Sequence, residues 1–97
     1  MNQDEQSKLQ QEVSRSDKAR QILENQVFKE SFEKLKDLYT TSLFNTGVNE
    51  NETREKLWLA VHIVQKVEQN IQEVLDTGKL AKKQLEDYRS QIKNNKF

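Results

Sequence analysis

The side chains able to do chemistry are few in this chain, and their spacing is poor for it. His62 is the only histidine. With Leu57 and Val64 on the a positions of a heptad, His62 falls at f, away from any apolar seam, and no carboxylate or hydroxyl spacing around it suggests a triad. It reads as a histidine on a solvated helix surface. Glu50, Glu52 and Glu55 form the densest acidic group, but without histidine or cysteine beside them they read as charges at a helix start and not as metal ligands. Cysteine is absent, which excludes a disulfide scaffold, a thiolate metal site and a cysteine nucleophile. There is no glycine-rich phosphate loop and no Gly-x-Ser-x-Gly elbow. These residues argue against an enzyme, a bound cofactor or a resident metal.

One charged group is large enough to act collectively. Lys79, Lys82, Lys83, Arg89, Lys93 and Lys96 give residues 79–97 a formal charge of +4, against −1 for residues 1–48 and −3 for residues 49–78. Cations at the end of a helix complement its negative dipole terminus, and that is the simpler reading. The alternative is contact with a polyanion such as DNA, which gains weight if several copies sum their fields.

The elements that would carry these residues are helices. Apolar residues make up 33% of the chain and charged residues another 33%, with no proline and only Gly47 and Gly78 as glycines. That composition lies between a globular domain and a coiled coil and lacks the turn chemistry of a β fold. A chain of 97 residues leaves much apolar surface wet unless it associates. No apolar run approaches a membrane span, and the N-terminus lacks a signal-peptide pattern, so a non-secreted, non-transmembrane protein is expected.

Residues 1–16 are polar, with Leu9 and Val13 as the large apolar residues after Met1, and read as an arm, either disordered or a frayed helix. The Leu9, Val13, Ser16 spacing would also fit a helical face. Residues 17–97 read as one helical domain, with helices over about 17–44 and 52–94 and candidate breaks at 25 and 78. In the first helix Phe28, Phe32, Leu35 and Tyr39 recur at steps of four, three and four and form one face, more readily a hairpin core than a base-stacking platform. Trp58 and Val61 are expected to complete that core, although Trp58 could instead anchor an intermolecular contact. Asn45-Thr-Gly-Val-Asn49 should turn the chain, with Gly47 in the left-handed region and Asn49-x-x-Glu52 starting the next helix.

The second helix has the clearest pattern. Leu57, Val64, Ile71, Gly78, Leu85 and Ile92 fall on a, and Ala60, Val67, Val74, Ala81 and Tyr88 on d, so eleven successive seam positions carry no charge. The register passes through Gly78 without a slip, which favours continuity. Gly78 and Ala81 make a waist where another helix could approach closely. A helix from Glu52 to Lys93 would be about 60 Å long, more than its hairpin partner covers, so the narrow stretch after Gly78 is expected to meet another chain. The fold class is therefore all-α: an antiparallel helical hairpin with a long C-terminal heptad helix, in an oligomeric bundle or coiled coil.

Two stretches, Arg54-Glu-Lys-Leu-Trp-Leu-Ala-Val-His-Ile-Val-Gln-Lys-Val67 and Thr77-Gly-Lys-Leu-Ala-Lys-Lys-Gln-Leu-Glu86, together with Ala19-Arg-Gln-Ile-Leu-Glu-Asn-Gln-Val-Phe28, resemble a group of small helical proteins encoded by tailed bacteriophages. The chain has Asn25-Gln26 where that group would have Asp-Pro. The resemblance spans residues 19–86 and consists of helix and packing signals, so it transfers no active residue. It implies a phage setting among packaging or virion-assembly genes, and hence the host cytoplasm or the virion as location. The expected function is a small-terminase-like or connector-like assembly protein. Its partners would be further copies of itself or another phage or host protein. An inhibitor of a host enzyme or defence complex and a DNA-binding oligomer are the alternatives.

Overall fold

A computed structural model describes residues 1–94, which form three α-helices and, among the described residues, no strand: α1 (Gln3–Glu24), α2 (Gln26–Phe44) and α3 (Asn51–Asn94). The chain divides into two packed units. One comprises Met1–Ile22 and α3 from Ile71 onward; the other comprises Leu23–Asn70.

In the first unit α1 lies antiparallel to the second half of α3. Ser16 Oγ donates to the Leu75 carbonyl at 3.0 Å, and at the other end Tyr88 Oη donates to the Met1 carbonyl at 3.4 Å. The buried residues here are Ser16, Ala19, Gly78, Ala81 and Leu85, and all but Leu85 are small. Small side chains let two helix backbones approach closely. At Gly78 the approach is so tight that a Cβ would overlap the Ser16 side chain and stand 2.8 Å from the Glu12 carbonyl oxygen.

Of the two readings of residues 1–16, a disordered arm or a frayed helix, the helical one describes the chain: α1 runs unbroken from Gln3 to Glu24. Its start is fixed by Asn2, an N-cap whose Oδ1 accepts from the Glu5 N–H at 2.7 Å while its Nδ2 donates to Glu5 Oε1 at 3.2 Å. Leu9 and Val13 are half-buried, and with Ser16 and Ala19 they give the helix a face to bury. The stretch of α3 after Gly78, expected to be bare, is thus covered by the chain's own N-terminus. No break occurs at Gly78, which lies inside α3.

The second unit is a hairpin of α2 and the first half of α3. A break at residue 25 separates α1 from α2: Asn25 adopts an extended conformation (φ −68°, ψ 125°) and its side chain accepts from the Phe28 N–H at 2.9 Å. Antiparallel register follows from two contacts, Lys36 with Glu68 at 3.1 Å and Thr46 with Arg54 at 3.1 Å. The turn is closed differently from the sequence expectation. No glycine has positive φ. Asn45 instead caps α2 at φ −91° and ψ 2°, and both the N–H and the hydroxyl of Thr46 donate to the Leu43 carbonyl, at 3.3 and 2.7 Å. With the terminal carbonyls so engaged, no left-handed residue is needed. At the start of α3 the capping position is Glu50, one residue beyond Asn49. Its carbonyl accepts from Arg54 N at 3.0 Å and its Oε2 accepts from the Gly47 N–H at 2.9 Å.

Candidate functional site

Apolar surface is left uncovered chiefly in the hairpin unit. A pair of helices can bury only the stripe along which they touch, and α2 contains no buried residue. Phe28, Phe32, Tyr39, Leu57, Val61 and Val64 are half-buried in that stripe, with the Phe28 and Phe32 rings 4.4 Å apart. Leu35 and Trp58, expected in the same core, are 37% and 54% exposed.

The covered residues of α3 explain why. Between Leu57 and Leu75 they are Leu57, Ala60, Val61, Val64, Glu68, Ile71, Val74 and Leu75, on heptad positions a, d and e, and Trp58, at b, falls outside them. Val67 is the d position that lies outside this stripe, 43% exposed, while its neighbour Glu68, at e, is half-buried and paired with Lys36. Further along, Ile71, Val74 and Tyr88 are half-buried, Gly78, Ala81 and Leu85 are buried, and Ile92 is 44% exposed.

Two apolar features result. One is a ridge on α3 formed by Leu59, Ile63 and Val67, spaced by four residues and facing away from the stripe that meets α2. The other lies at the hairpin tip, where Leu43, Phe44, Thr46, Arg54, Glu55 and Trp58 surround an open groove of about 650 Å³. Phe44 and Val48 are almost wholly exposed there. The tip is held by Arg54, whose guanidinium donates to Thr46 Oγ1, to the Gly47 carbonyl and to Asn51 Oδ1. Trp58 packs against His62 with ring centroids 4.0 Å apart and the planes tilted by 52°. This places His62 beside an aromatic ring on the helix surface, with no nucleophile in the contact.

Lys79, Lys82, Lys83, Arg89 and Lys93 are all exposed; Lys96 lies outside the described residues. Among the described residues no group of three or more His, Asp or Glu side chains stands close enough to hold a metal ion, and no helix is long and apolar enough to cross a membrane. The arrangement offers hydrophobic docking surface and fixed aromatic anchors. No family model, curated protein or solved structure matches the chain.

Proposed function

We propose that the chain is a non-enzymatic assembly protein that works by helix–helix self-association, a small-terminase-like or connector-like component of a tailed phage. The observation that carries the self-association reading is the Leu59, Ile63 and Val67 ridge, which the chain's own α2 leaves exposed. The phage setting rests on the resemblance of residues 19–86 alone, and with it the placing in host cytoplasm or virion.

Size-exclusion chromatography with light scattering tests the reading: a mass that is a multiple of 11.5 kDa at tens of micromolar is expected, and a strict monomer would count against it. Mass spectrometry of purified virions tests the setting, since an assembly component should be found in particles or their precursors. The groove at the hairpin tip favours one second reading, an inhibitor that inserts Phe44 and Trp58 into a host protein. Retention of a single host protein, with the chain itself monomeric, would favour that reading. DNA binding has weaker support, because residues 71–94 carry four acidic residues against five basic ones.

A further inference from the structure

The exposed ridge of α3 has a direction. Leu59 and Ile63 occupy its centre, 52% and 55% exposed, with Glu55 one turn before Leu59 and Lys66 just beyond Ile63. Acid therefore stands at one end of the apolar patch and base at the other, and both side chains are exposed. At 100° per residue Glu55 and Lys66 lie on the same flank of the ridge, about 20° apart around the helix. Measured from the midpoint between Leu59 and Ile63, Glu55 is about 9 Å towards the N-terminus and Lys66 about 7.5 Å towards the C-terminus. In a parallel twofold pair the two Glu55 would stand at one level and the two Lys66 at another, on opposite flanks of the contact, so that neither acid meets a base. Turned antiparallel about that midpoint, each Glu55 meets the other copy's Lys66, and each Leu59 meets the other copy's Ile63.

We infer that two copies of this chain pair antiparallel through this ridge, with a twofold axis passing between Leu59 and Ile63. The inference rests on the self-association reading above and adds to it the face, the direction and the pairing. The isologous geometry uses one patch twice, as a twofold interface requires. Lys56, on the same face, does not oppose the pairing because Glu52 already holds it at 3.3 Å.

The chain has no cysteine, so introduced thiols report pairing without background. Equal amounts of Leu59→Cys and Ile63→Cys protein, mixed and oxidised, should give mainly the mixed 59–63 disulfide. Glu55→Lys and Lys66→Glu should each weaken the dimer about tenfold by placing like charges together at two symmetric points, and the double variant Glu55→Lys/Lys66→Glu should regain the lost affinity. All four positions are exposed, so circular dichroism should report unchanged helix content in each variant. A chain that self-associates but forms mainly 59–59 and 63–63 disulfides, or in which the charge exchange fails to restore affinity, overturns the antiparallel pairing and leaves self-association standing. A helical, monomeric wild-type chain overturns both.

Discussion

Replacing Gly78 by alanine separates an ordinary helix interior from a close helix crossing. In an exposed helix, glycine to alanine gains roughly 1 kcal/mol from propensity. At this site the new Cβ would overlap the Cβ and Oγ of Ser16 and stand 2.8 Å from the Glu12 carbonyl oxygen. The obstacles are a backbone oxygen and the root of a side chain, neither of which can swing aside, so α1 must move away from α3 as a body. Overpacking of this kind costs about 1–3 kcal/mol. The displacement also stretches the Ser16 to Leu75 hydrogen bond of 3.0 Å, a further loss of about 1 kcal/mol. Set against the propensity gain, the net destabilisation is about 1–3 kcal/mol, which in a chain of this size lowers Tm by roughly 5–15 °C. Thermal melting followed by circular dichroism measures it. Combining Gly78→Ala with Ser16→Gly should recover part of the loss, because the second change removes the Cβ that the first one strikes. A rise in Tm for Gly78→Ala alone would refute the close crossing.

Deleting residues 1–15 should strip the cover from Ala81 and Leu85 and reduce helicity in the second half of α3; a truncated chain that melts like the full one would contradict the packing of α1. Asn25→Ala removes the cap on the Phe28 N–H and should cost about 1 kcal/mol by chemical denaturation. Arg54→Ala frees the turn from the contacts to Thr46, Gly47 and Asn51 and should cost about 1–2 kcal/mol. Hydrogen exchange should show that loss at residues 45–50. The Lys36–Glu68 pair is about one-third exposed on each side, so a double-mutant cycle should give a coupling no larger than about 1 kcal/mol.

Fold class and the helical hairpin were legible because the four-three spacing over Phe28 to Tyr39, the absence of proline and the polar turn all point the same way. The candidate break at residue 25 was legible because asparagine is a good helix cap. The N-terminal helix was harder to read. Its face is built from Leu9, Val13, Ser16 and Ala19, too few and too small to register as apolar periodicity, and its value lies in fitting a glycine and an alanine sixty residues away. Asn2-x-x-Glu5 carries the same cap pattern read at Asn49-x-x-Glu52 and is the signal that could have extended the helix to its start. The heptad seam also put Val67 inside, whereas the covered stripe leans to the a and e positions, which turns Val67 out and brings in Glu68, a charged residue that no apolar pattern marks. Exposed apolar residues are more numerous on the first half of α3, at Trp58, Leu59, Ile63 and Val67, than on its C-terminal stretch, at Leu80 and Ile92. A sequence pattern gives the period of a helix face but not which neighbour fills it. The stretch after Gly78 that looked bare is therefore covered, and the first half of α3 keeps an open ridge beside the stripe that meets α2.

Ile63, at the centre of the open ridge, is the residue on which self-association turns. The most direct measurement is the solution mass of the full chain and of Ile63→Glu, by light scattering at matched concentrations with helix content checked by circular dichroism. The wild type should have a mass that is a multiple of 11.5 kDa, and Ile63→Glu should fall to 11.5 kDa with its helices intact. A wild-type monomer, or an assembly whose mass Ile63→Glu leaves unchanged, would contradict association through this face.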